Sequence, residues 1–175
     1  IYCGSFSKTI APALRVGYLV ADWAVLSNLI AAKHDAGSGA LEQMVLAEYC
    51  AAHFDAHVGH MQEILSAKCD TIVEALDAEF GTSAEYLLPK GGIFIWVTLP
   101  DAVDTTKLAE VALAEGVALN PGAGWSSDPE SGRHRLRLCF GHPSHEDIRE
   151  GVARLAEICH RETGIPVRSA NTQRD

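Results

Sequence analysis

The sequence has 175 residues, with 14 Lys and Arg against 23 Asp and Glu, a formal net charge of −9, and 47% hydrophobic against 21% charged residues. This is the make-up of a folded globular chain, long enough for one domain or one and a part, and it excludes disorder for most of the length. An acidic balance without a basic run argues against nucleic acid as a partner. No apolar stretch approaches the roughly 20 residues that span a bilayer, and no charged-then-apolar segment opens the chain as a signal peptide would, so a cytoplasmic protein without membrane contact is expected.

In chain order, residues 1–6 and 14–20 read as short strands, with Pro12 breaking any helix between them. Asp22 is placed to cap a helix through Trp23, Leu26 and Ile30, which Gly37-Ser38-Gly39 ends. Residues 41–80 contain no proline and repeat apolar positions every three or four residues, the pattern of an amphipathic helix; a bend near Phe54-Asp55 is expected to divide it, and Gly81 closes it. Strands are expected at 84–88, 93–97, 117–119 and 136–140, and helices at 105–115 and from Ser144 onward, where Glu146 and Asp147 suit the positive helix start. Phe94 and Trp96, two apart, read as core, and Gly91-Gly92 as a turn. Residues 127–134 and the tail 163–175 are polar and expected to be mobile. The five cysteines are scattered without a C-x-x-C pair, which predicts reduced thiols that mostly fill core space.

The chemistry-bearing segment is Gly4-Ser5-Phe6-Ser7-Lys8. A lysine at a strand end among hydroxyls can lose its proton and form a Schiff base when burial or nearby positive charge favours the neutral amine. Ser5, Ser7 and Arg15 suit a phosphate dianion, with two hydroxyl donors and one planar guanidinium. Ser5-x-x-Lys8 also fits the S-x-x-K of penicillin-interactive serine enzymes, but neither S-D-N nor K-T-G occurs, and Pro12 breaks the helix that reading needs. Arg137 lies on an apolar strand with Arg135 on the same face, and residue physics alone leaves open whether either binds a ligand or pairs with a carboxylate at the core edge. His53, His57 and His60 share a helical face without acidic or thiol companions, so solvent-facing histidines are expected rather than a metal site.

The stretch Gly4-Ser5-Phe6-Ser7-Lys8-Thr9-Ile10-Ala11-Pro12-Ala13-Leu14-Arg15-Val16-Gly17-Tyr18 resembles the lysine segment of class I/II, fold type I pyridoxal phosphate-dependent aminotransferases. Gly91-Gly92-Ile93-Phe94-Ile95-Trp96-Val97, Gly116-Val117 with Pro121-Gly122, and Arg137-Leu138-Cys139-Phe140 follow in the order that family shows. The subgroup most resembled contains the 2-aminoadipate and kynurenine aminotransferases, and the likeness covers residues 1 to about 160.

The resemblance implies that Lys8 holds pyridoxal 5'-phosphate and shuttles a proton, that Ser5, Ser7 and Arg15 hold its phosphate, and that Arg137 pairs with the substrate carboxylate, selecting it over Arg135. It implies transamination between an amino acid and a 2-oxo acid, by homodimers. The family's other cofactor contacts precede its lysine, so the sequence is expected to begin within a longer protein and to be inactive alone. Trp125 stands where a Tyr or Phe is more familiar, in a loop, 123–135, that bears on substrate choice. The implied fold is α/β: residues 1–55 a remnant of the large-domain sheet, 56–82 a long connecting helix, 83–162 a small α+β domain with a mostly antiparallel sheet, and 163–175 a polar tail. The alternative is the effector-sensing, aminotransferase-like domain of a bacterial transcription regulator, whose helix-turn-helix would precede Ile1.

Overall fold

The computed structural model describes residues 1–35 and 37–167, in two compact units, residues 1–63 and 64–175.

In the first unit β1 (Tyr2–Ser5) and β2 (Gly17–Val20) form an antiparallel ribbon, with Tyr2 opposite Val20 and Ser5 opposite Gly17. The Tyr18 ring lies over Gly4 closely enough that any Cβ there would collide with it. Pro12, with its fixed φ and no N–H to satisfy, opens a 3-10 turn over Pro12–Leu14. The turn ends at Arg15 in the left-handed region, φ 51°, a conformation that costs a non-glycine residue about 1–2 kcal/mol.

Helix α1 (Trp23–Ala32) starts after Asp22, whose backbone carbonyl accepts from Val25 (2.9 Å) and Leu26 (3.0 Å) while its side chain makes no cap. α1 buries none of its residues. Val16 and Leu46 are the buried hydrophobic residues of this unit, and Trp23, Ile30, Leu41 and Met44 are exposed.

Helix α2 (Ala40–Phe80) is a single element of 41 residues, so the expected bend near Phe54-Asp55 is corrected. No proline interrupts its ladder, and its residues up to Glu63 belong to one compact unit and those from Ile64 to the other.

In the second unit β3 (Glu85–Tyr86), β4 (Phe94–Thr98), β5 (Asn120–Pro121) and β6 (Arg135–Cys139) form an antiparallel sheet in the order β3-β4-β6-β5. Helix α3 (Thr105–Ala114) is capped by the Asp104 carboxylate, which accepts from the Thr106 and Lys107 amides. Helix α4 (His145–Thr163) begins with a reciprocal Ser144–Asp147 capping box and ends at left-handed Gly164. Ile95, Val97, Leu136 and Leu138 from the sheet, Leu108 from α3, Leu155 and Ile158 from α4, and Ile72 and Leu76 from α2 make one core.

Strand alternation assigns Phe94, Trp96 and Thr98 to the other face, half-buried with Arg135 and Arg137. Phe94 and Trp96 are therefore not core, because Ile95, Val97 and Leu99 occupy that side. The strand expected at 117–119 is displaced to Asn120–Pro121, where pairing with Arg137 and Leu136 sets the register.

Of the cysteines only Cys159 is buried; Cys3 and Cys139 are exposed and all five are free. Most of the cysteines are therefore not core, against expectation. Residues 127–134 are fastened: Glu130–Gly132 is a 3-10 turn, Arg133 donates to the Asp101 carbonyl (2.8 Å), and the Thr105 hydroxyl donates to the Arg133 and Arg135 carbonyls. The expected tail begins inside α4, whose last residue is Thr163, and residues 168–175 lie outside the described part. Among the described residues no helix is long and apolar enough to cross a membrane.

Candidate functional site

The two sets of candidate residues fall in different units. In the first, β1 ends at Ser5, whose hydroxyl accepts from the Ser7 amide at 3.1 Å. Beyond it the Phe6 carbonyl accepts from Ile10 (2.8 Å) and Ala11 (3.1 Å), closing one turn of backbone around Lys8. Lys8 is exposed on that turn, as is Ser5, and Ser7 is half-buried. The Phe6 amide donates to the Val16 carbonyl at 3.1 Å, which closes the base of the loop beside Arg15. The exposed Arg15 guanidinium donates to the Pro12 carbonyl at 3.2 Å.

The stretch from Ser5 to Arg15 thus carries the Lys8 amine, the Ser5 and Ser7 hydroxyls and the Arg15 guanidinium. That donor set fits an aldehyde-bearing phosphate monoester: the amine can bond the carbonyl carbon, and the other three can neutralise and hydrogen-bond a dianion. The Lys8 side chain is not buried in this structure, so the amine there is selected by its position on the turn rather than by a dry pocket.

In the second unit, cross-strand pairing sets Arg137 opposite Trp96 on one side and Asn120 on the other. Its Nη2 donates to Asn120 Oδ1 at 3.1 Å. The guanidinium carbon lies 3.4 Å from the Trp125 ring centre and 4.0 Å from that of Phe94, stacking geometry that holds a planar cation without consuming its donors. Its Nε is buried and has no hydrogen-bond partner among the described residues. A buried donor left over in this way is costly unless something accepts from it, and a carboxylate is the matching acceptor. Arg135 shares the face and also has a buried, unpartnered Nε, but the aromatic faces belong to Arg137.

Trp125 reaches Arg137 because the 3-10 turn Gly122–Trp125 docks closely on its neighbours. A Cβ on Gly122 would come within 2.6 Å of the Arg135 and Gly132 carbonyl oxygens, so only glycine permits that approach.

Sequence reasoning missed Asn120 and misassigned Phe94. The legible signal for Phe94 was strand alternation, since Ile95 and Val97 already claim the core face. For Asn120 it was a polar side chain directly before Pro121-Gly122. The histidine trio divides: His53 and His60 are exposed, whereas His57 is half-buried and hydrogen-bonded to Tyr49 and to the Thr9 carbonyl.

Comparison with known proteins agrees with the resemblance. The family model for aminotransferase class I and II matches residues 1–155. The chain is 33% identical over 165 residues to aromatic-amino-acid aminotransferase 1 of Thermococcus litoralis, a match covering 93% of this chain and 39% of that protein. It is also 32% identical over 158 residues to the uncharacterized HTH-type transcriptional regulator YdfD of Bacillus subtilis, covering 89% of this chain and 32% of that one. Among solved structures it matches LysN, the α-aminoadipate aminotransferase of Thermus thermophilus in complex with N-(5'-phosphopyridoxyl)-L-leucine, with a TM-score of 0.82 and 34% identity, over 91% of this chain and 41% of that one. The chain therefore spans about 40% of the length of the aminotransferases it matches. Its α/β fold is that of the fold type I aminotransferases, and the chain belongs to the class I and II aminotransferase family.

Proposed function

We propose that the whole protein is a pyridoxal phosphate-dependent aminotransferase that moves an amino group between an amino acid and a 2-oxo acid and acts as a homodimer. Support for the cofactor comes from the Lys8 loop and from the phosphopyridoxyl ligand of LysN. When bound, pyridoxal 5'-phosphate supplies an electrophilic aldehyde and a ring that withdraws electrons from the substrate's α-carbon.

This chain's own residues have the following parts. Ser5 and Ser7 would donate hydroxyl hydrogen bonds to the phosphate, and Arg15 would neutralise it. Lys8 Nζ is the primary amine that would bond the cofactor's aldehyde, and, when free, it would be the base that takes the proton from the substrate's α-carbon and returns it. Arg137 holds the substrate's α-carboxylate, with the Trp125 and Phe94 rings fixing the guanidinium plane and Asn120 taking one of its donors.

The single observation that carries the reading is the family match over residues 1–155, which includes the whole Lys8 loop. Purified with pyridoxal phosphate, the whole protein is expected to show a visible absorbance band, and borohydride is expected to fix the cofactor's mass on the Lys8 peptide. Lys8→Ala should abolish both. A band that survives Lys8→Ala overturns the assignment.

A second reading is supported by the similarity to YdfD: an aminotransferase-like domain that senses an effector in a transcription regulator. A helix-turn-helix in residues preceding Ile1, with cofactor binding but no turnover of amino acids, would favour it over the enzyme.

A further inference from the structure

Helix α2 ties one of its histidines to the Lys8 loop. His57 Nε2 lies 2.8 Å from the Thr9 carbonyl oxygen, and His57 Nδ1 lies 3.0 Å from the Tyr49 hydroxyl. A carbonyl can only accept, so Nε2 carries the proton; in the neutral ring Nδ1 is then an acceptor, and the Tyr49 hydroxyl donates to it. The two contacts select one tautomer and one ring orientation. Tyr49 also meets the imidazole edge-on, with ring centres 5.7 Å apart and planes at 83°.

Thr9 follows Lys8 directly. The backbone bonds that close the Lys8 turn start from Ile10 and Ala11 and converge on Phe6, within the loop itself. The bond from His57 comes instead from a separate element, 48 residues along the chain. An exposed turn with internal bonds alone can rock as a unit, and a side chain fixed on a long helix that grips the next carbonyl removes that freedom. His57 thus bears on where the Lys8 Cα points.

We propose that His57, oriented by Tyr49, is a positioning residue for Lys8: it anchors the carbonyl one residue beyond the lysine to helix α2 and so sets the direction in which the amine leaves the loop. The proposal rests on the reading of Lys8 as the cofactor lysine. Its contribution is to geometry more than to stability, since residues 51–56 of α2 are exposed and a single hydrogen bond there adds little to folding.

The test uses the purified protein and three variants. Long-range proton–nitrogen NMR on the wild type is expected to show the Nε2–H tautomer at His57, and Tyr49→Phe should shift the ring toward a tautomer mixture. Glutamine can place an amide N–H near the Nε2 position, whereas asparagine is too short to reach Thr9.

His57→Asn should therefore speed amide exchange at Ile10 and Ala11 and slow covalent capture of pyridoxal phosphate by Lys8, each about tenfold, which is the effect of losing one hydrogen bond. His57→Gln should restore both to within about twofold, with the urea midpoint unchanged throughout. An Nδ1–H tautomer, equal losses in the two variants, or losses that track the urea midpoint would overturn the proposal. Wild-type protein that never captures pyridoxal phosphate overturns the reading of Lys8, while the tautomer and exchange measurements still decide the anchor.

Discussion

The two units of this chain use their apolar residues in opposite ways. In residues 64–167 the apolar face of every long element finds a partner, and the core runs without a break from α2 through the sheet to α3 and α4. In residues 1–63 the ribbon and α1 leave their apolar side chains exposed, including Trp23 at 71% and Ile1 at 82%. Hydrogen bonds rather than burial define the local structure there: the β1–β2 ladder, the Lys8 turn and the His57 anchor. The lesson is that the loop bearing Lys8 can be closely shaped by local bonds while the element that carries it contributes little core, and that an apolar pattern predicts a buried face only when a partner is present.

Removing apolar side chains from each unit should separate the two most widely. Leu155→Ala, at a position 1% exposed, should cost about 2–5 kcal/mol through lost transfer energy and the cavity left behind. Ile30→Ala on α1 should stay within about 0.5 kcal/mol, as surface changes do. Urea titration followed by circular dichroism measures both, and equal costs would mean that α1 is packed in solution.

A smaller effect distinguishes the two candidate sites. Trp125→Ala removes one face of the Arg137 stack and should weaken amino-acid binding roughly three- to tenfold, in line with a cation–π contact worth about 1 kcal/mol. Cofactor capture at Lys8 should be untouched, and Trp125→Phe should recover most of the loss. Steady-state kinetics read this as a raised KM at nearly constant kcat; a loss of cofactor instead would show that the loop serves the other site.

The smallest effect concerns acid stability of the second unit. Asp147 accepts from the Ser144 hydroxyl and amide, which holds its carboxyl below the ordinary value of 3.8. A group whose folded-state pKa is lowered adds stability above its unfolded pKa and loses it as pH falls through the folded value. Asp147→Asn should therefore leave a shallower acid limb below about pH 4 in a circular dichroism titration, with little change in shape near neutrality. An identical acid limb would remove the capping box from the account.

Much of the architecture was legible because it depends on near neighbours. The helix start at Ser144, the helix through residues 41–80, the break at Pro12 and the shared face of Arg135 and Arg137 all follow from spacing within a few residues. Phe94 and Trp96 alternate as core residues would, and only the packing of Ile95 and Val97 against the helices decides which side is inside. The division expected in α2 near Phe54-Asp55 does not occur, and the helix runs unbroken from Ala40 to Phe80.

By itself, then, the sequence determined the order of elements, the family and the loop that presents Lys8 between Ser5, Ser7 and Arg15, since these are fixed by local backbone preference and by residue types in a short contiguous stretch. Tertiary structure alone decided that Asn120 lies opposite Arg137, that Trp125 and Phe94 close on its guanidinium, and that His57 reaches Thr9. Those contacts join residues far apart in the chain through strand register, a glycine-permitted loop approach and a helix laid beside a turn, and such meetings are set by packing rather than by any neighbour in the sequence.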